Sequence, residues 1–171
     1  MRNLRDAVDG RILKMVYLAL CQPLINYCIL AWGGASSEAL IPLERAQRGV
    51  LKVALNKPMR YPTTALYNEA GVLSVRRLYL VRVIVSVHKS VVNSKEYEQM
   101  LRKRVFKIPH PQQATSFAHR FEAFLFPHVY NKLVNICNFK YCTTREAKAL
   151  VSRTLLTWTY EESENLIKVP K

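Results

Sequence analysis

The chain has 171 residues, half of them hydrophobic, and carries 26 Lys and Arg against 12 Asp and Glu, a net charge of +14. This length and apolar content suit one domain, or one domain with a small appendage, that buries its own core, and they exclude general disorder. The positive excess is spread along the chain, +8 over residues 1–94 and +6 over 95–171, so it is not a basic tail but the charge of a domain facing a polyanion. Cys21, Cys28, Cys137 and Cys142 are too few for a secreted disulfide framework, which predicts reduced thiols in an intracellular protein, nuclear or cytoplasmic and not secreted. Five glycines are too few for a turn-rich all-β fold.

Residues 15–32 carry no charge. A signal peptide would begin earlier and without Asp6 and Asp9 ahead of it. A membrane span would be weakened by Gln22, Pro23 and Asn26 near its middle. Two buried helices fit better: Pro23 disfavours helix at Gln22 and suits the first turn of a new one. Leu13, Val16 and Leu20 share a face of the first, and Leu24, Tyr27, Cys28 and Ala31 a face of the second. Gly33-Gly34 then stops it.

Ser36 or Ser37 predicts a cap for a helix to about Leu55. Leu40, Leu43, Gln47, Val50 and Ala54 fall on one side of it, and Arg45, Arg48 and Lys52 on the other, where Glu44 can pair with Arg48. A two-proline loop follows, then a short helix from Thr63 or Thr64 closed by Gly71. Ser74 caps Val75–Val92, whose Val81, Val83, Val85, Val87 alternation could signal a strand; its length and cap favour a buried helix. Ser94 is expected to cap a helix to about Val105 that ends in Arg102, Lys103 and Arg104, with Lys107 beyond. Residues 108–116 read as a polar connector between a helical domain over 1–107 and a helical appendage over 117–171 that packs on it. The appendage holds the aromatic-rich Phe117–Phe126 and Pro127. Thr143-Thr-Arg-Glu146 is a capping box that opens a final helix through Trp158. The fold class expected is mostly α, a small thumb-like bundle of about seven helices with little or no sheet.

The chemistry of catalysis is sparse. Asp6 and Asp9 are the only aspartates, and their place at a helix start suits the helix dipole better than a pair of metal ions. No Gly-rich phosphate loop or nucleophile elbow occurs. Cys137 and Cys142 sit at the edge of the spacing of structural zinc pairs, with His110, His119 and His128 upstream, but buried thiols are the commoner use of such cysteines. No catalytic residue, metal or cofactor is therefore expected. Three basic groups remain: Arg45/Arg48/Lys52, Arg76/Arg77/Arg82 and Arg102/Lys103/Arg104/Lys107. Each alone suits a solvated face; three together, with nine tyrosines, favour nucleic-acid binding.

The segments VYLALCQPLINYCILAWGGAS, LIPLERAQRGVLKVALNKP and YPTTALYNEAGVLSVRRLYL resemble the region after the polymerase palm in reverse transcriptases of non-LTR retrotransposons, notably jockey-type elements. Tyr27, Trp32 and Gly33 match that family's Tyr-Cys/Gly…Trp-Gly pattern, and Leu43, Gln47, Arg48, Leu51 and Lys52 its Leu-x-x-x-Gln-Lys/Arg helix. The likeness is dense over about residues 2–85 and weaker over 117–160, where FPHVYNKL is similar to the closing segment. The family's catalytic Asp-Asp palm motif lies upstream of the matched region, and its C-terminal zinc knuckle is not reproduced. The resemblance implies a thumb-like piece of an RNA-directed DNA polymerase, inactive alone. Its implied partners are the backbone of DNA or RNA, as hybrid or duplex, and the absent palm, with no membrane and no small-molecule substrate. Two other readings stay open: a helical protein-interaction remnant, and a membrane-associated protein using residues 15–32.

Overall fold

A computed structural model describes residues 9–168 except 110, 113, 114, 116–118 and 120. The described residues are helical and contain no strand. The helices are α1 Gly10–Val16, α2 Gln22–Asn26, α3 Ile29–Trp32, α4 Ser37–Ala54, α5 Thr63–Ala70, α6 Val75–Val92, α7 Tyr97–Arg102, α8 Glu122–Val134, α9 Thr144–Thr157 and α10 Tyr160–Ile167. Two compact units divide between Tyr79 and Leu80, inside α6.

In the first unit the uncharged stretch departs from its expected form. A π-helical turn, Tyr17–Cys21, joins α1 to α2 without a break. Pro23 has no N–H to give to the preceding turn, and the wider π ladder makes room for its ring. The true break is Tyr27-Cys28, where Cys28 is left-handed at φ 48° and Trp32 Nε1 donates to the Tyr27 carbonyl at 2.8 Å. The buried side is also different: Leu13, Tyr17, Ile25 and Ile29 face inward, while Leu20, Leu24 and Tyr27 are exposed. Residues four apart over-rotate by about 40° per step in an α-helix, and the slower-turning π segment corrects that drift. No helix among the described residues is long and apolar enough to cross a membrane.

Ser36 caps α4 through a bond from the Ala39 amide, and α4 ends at a left-handed Asn56 at φ 52°. Its buried line is Leu40, Glu44, Gln47, Leu51 and Ala54. Around it Tyr17, Leu51, Leu66, Tyr67, Ala70 and Val72 form a continuous core. Gln47 sits within this core with its amide fully used. Nε2 donates to Tyr17 Oη at 2.8 Å and to the Leu73 carbonyl at 2.9 Å, and Oε1 accepts from Tyr67 Oη at 2.8 Å. Burial pushes both phenols above the ordinary tyrosine range, so they stay neutral partners. Gly71 closes α5 at φ 60°, and α6 is helical through the valine alternation. Its burial runs unbroken from Val75 to Val81 and returns at Val83, Ile84, His88 and Val91, without the alternation of a strand.

In the second unit Ser94 ends α6 instead of capping α7: its hydroxyl donates to the Val91 carbonyl at 2.7 Å, and α7 starts at Tyr97. Ile108 is clasped by α8, its N–H and C=O bonded to the Asn131 amide at 2.9 and 2.8 Å. Pro127 lies inside α8. The Thr143/Glu146 capping box is complete, but α9 stops at Thr157, and a second box, Thr159/Glu162, opens α10. Phe139, Val129, Tyr130, Leu133, Val151 and Leu155 are buried in this unit.

Replacing Gln47 by Ala leaves two buried phenols and a carbonyl short of partners. The expected cost is about 2–4 kcal/mol, read as a lower denaturant midpoint with an unchanged slope.

Candidate nucleic-acid interface

The three basic groups separate once their surroundings are known. Of the first, Arg45 is exposed, but Arg48 lies 3.9 Å from the buried Glu44 carboxylate and Lys52 Nζ donates to the Met59 carbonyl. The stripe is thus partly occupied by its own fold.

The second group is corrected by the structure. Arg76 and Arg77 are buried at 1% and 5% exposure, and only Arg82 is exposed. Arg76 donates from Nη1 to the Gly33 carbonyl at 2.6 Å and from Nη2 to the Ala35 carbonyl at 2.8 Å, holding the chain where α3 ends. A Cβ on Gly33 would come within 2.5 Å of the Ile29 carbonyl and of the Tyr79 ring, so only glycine fits this corner. Arg77 lies 6.0 Å from the Tyr67 ring centroid. A guanidinium with a planar fork suits two converging carbonyls; here that fork serves the fold, and neither side chain reaches solvent to meet a phosphate. Trp32, Gly33, Gln47 and Leu51 are likewise placed by packing and hydrogen bonding inside this unit, whereas the Tyr27 side chain is exposed and only its backbone carbonyl is engaged, by Trp32.

The third group has the form of an interface. Arg102, Lys103, Arg104 and Lys107 are all exposed, and no acidic side chain among the described residues pairs with them. Their loop is nevertheless held: Phe106 is buried edge-on to Tyr97 at 6.3 Å, Met100 is buried too, and the Asn131 clasp fixes Ile108. Sequence reading missed two neighbours. Lys140 Nζ donates to the Lys103 carbonyl at 3.3 Å, and beside it Tyr141 is 72% exposed. Their distance along the chain from Lys103 hid them; only the fold brings them together.

Other candidate chemistry does not converge. Asp9 stands at the N-cap of α1 without a side-chain capping bond, and Asp6 lies outside the described residues. Cys137 Sγ is buried 3.3 Å from Thr154 Oγ1, and His119 and His128 stack on Phe124; His110 lies outside the described residues. Among the described residues no three His, Cys, Asp or Glu side chains form a metal-binding group. A cleft of about 520 Å³ beside Lys132, Trp158 and Leu166 has its lysine directed onto the α10 C-terminus, at the carbonyls of Asn165, Leu166 and Lys168. Burial holds that ammonium below the ordinary lysine range.

No protein-family model, curated protein or solved structure matches the chain. Arg76→Gln is expected to remove two buried charge-assisted bonds and about 2–4 kcal/mol of stability. In the folded variant, nucleic-acid affinity and its salt dependence stay at the wild-type values, as titrations at several salt concentrations would show.

Proposed function

We propose that this chain is a helical nucleic-acid-binding region of the kind that follows the palm in non-LTR retrotransposon reverse transcriptases, binding phosphate backbone without base-sequence preference. The observation that carries the reading is the anchored loop bearing Arg102, Lys103, Arg104 and Lys107, exposed and unopposed by acidic groups among the described residues. Fixed cations without internal partners gain most from a polyanion, because each neutralised phosphate releases condensed counterions. Arg45 and Arg82 add exposed charge on other elements. The resemblance of residues 2–85 supports the family assignment, and the net charge of +14 supports the partner.

Replacing Arg102, Lys103, Arg104 and Lys107 together by Gln tests this. Affinity for a duplex or RNA–DNA hybrid should fall for every sequence, and the salt slope should shrink by roughly 3–4 if each side chain meets one phosphate. An unchanged slope in the folded variant would exclude the loop as the interface.

A second reading, a protein-docking role, is favoured by the outer face of the first helical run. Met15, Leu20, Leu24 and Tyr27 are 63–76% exposed there. Self-association in the absence of nucleic acid would support it.

Polymerase activity requires carboxylates that hold metal ions against the reacting phosphate. The purified chain is therefore expected to extend no primer with Mg²⁺ or Mn²⁺. Template-dependent incorporation lost on Asp9→Asn would overturn this.

A further inference from the structure

Tyr141 has φ 65°, a left-handed conformation that costs a bulky side chain energy, and its ring is 72% exposed. A strained backbone that delivers an aromatic ring to solvent contributes nothing to burying a core. The turn is nonetheless fixed on both sides. Before it, Phe139 is fully buried and the Asn138 side chain accepts from the Lys140 amide at 3.0 Å. After it, the Cys142 amide closes onto the Phe139 carbonyl at 3.1 Å, and Thr143 opens the α9 capping box.

The firmest anchor is His88, fully buried on α6. One ring nitrogen, Nε2, lies 2.9 Å from the Cys142 carbonyl, and the other, Nδ1, lies 2.8 Å from Tyr130 Oη. A carbonyl only accepts, so Nε2 donates to it, and in the neutral imidazole Nδ1 then accepts from the phenol. Tyr130 and Phe139 pack around the imidazole, with centroids 6.1 and 5.9 Å from it. A buried histidine is thus committed to holding the carbonyl next to Tyr141.

Lys140 places the ring within the basic surface. Its Nζ is 5.6 Å from the Tyr141 centroid while donating to the Lys103 carbonyl. The ammonium thus lies over a ring that is largely exposed to solvent.

We propose that Tyr141 is a stacking platform for an unpaired base, with Lys140 and the Arg102–Lys107 loop taking the flanking phosphates, so that the favoured ligand is single-stranded nucleic acid. The inference rests on the nucleic-acid reading above and narrows it. Every base offers a π face, so the platform is indifferent to sequence, and a duplex, whose bases are already stacked, cannot use it. His88 acts as a positioning residue for this platform.

The test compares wild type, Tyr141→Phe, Tyr141→Ala and Tyr141→Gly on a fluorescent single-stranded oligonucleotide, the matching duplex and phosphatidylserine vesicles, each over a range of salt. Tyr141→Ala and Tyr141→Gly should weaken single-strand binding about fivefold to a hundredfold with an unchanged salt slope, and leave duplex binding alone. Tyr141→Phe should stay close to wild type. Glycine accepts the left-handed backbone, so Tyr141→Gly should not lower the melting temperature while it lowers affinity, a combination that a purely structural tyrosine cannot give. Equal single-strand binding by wild type and Tyr141→Ala would overturn the platform and leave the nucleic-acid reading standing. Absence of wild-type binding to either nucleic acid, or a Tyr141-dependent loss seen only on vesicles, would overturn both.

Discussion

The first unit is organised around one amide. Gln47 has two donors and an acceptor to satisfy, and a buried polar group left unmatched is costly. The structure meets all of these demands from three directions: the π turn through Tyr17, α5 through Tyr67 and the segment before α6 through Leu73. Apolar contacts alone would tolerate sliding of one helix on another; three directional bonds to one side chain do not. The residues around it follow from that constraint. Leu51 and Leu66 are buried in the same cluster, and burial keeps the Tyr67 phenol neutral.

The same logic recurs at smaller scale wherever a polar group is buried. Arg76 gathers the Gly33 and Ala35 carbonyls, His88 the Cys142 carbonyl and the Tyr130 hydroxyl, and Asn131 both backbone groups of Ile108. In each case a long side chain satisfies backbone groups that irregular connections would leave bare. This explains how a chain with short helices and few glycines keeps its loops in defined positions. It also separates charge that maintains the fold from charge that faces outward.

Much of the secondary structure could be read from local chemistry. The Ser36 cap, the Thr143/Glu146 box and the Gly71 stop act within one turn of the residues that signal them. The helix over Val81–Val87 was legible from its length in spite of β-branched side chains. What failed to show was whatever depended on a change of pitch or on distant partners. A regular helical wheel puts Leu20 and Leu24 inward, and only the π turn reveals that Ile25 and Ile29 take that side. Likewise Arg76 and Arg77 look like surface charge in a string of letters, because the carbonyls that capture Arg76 lie about forty residues upstream. Arg102–Lys107 were recognisable as basic, but Lys140 and Tyr141 join them only through tertiary folding.

The acidic groups have a further consequence for how the protein meets its solvent. Glu44 faces Arg48, Glu69 takes Lys57 at 2.7 Å and Tyr61 at 2.9 Å, and Glu146 and Glu162 are bound to the amides that begin α9 and α10. Carboxylates tied to their own helices and neighbours do little to neutralise cations elsewhere, so much of the formal +14 repels itself across the surface. Dissolved anions would relieve that repulsion, making this a chain whose compact state tightens with modest ionic strength. A polyanion that engages the native surface does the same more strongly, since whatever binds only the folded form draws the folding equilibrium toward it.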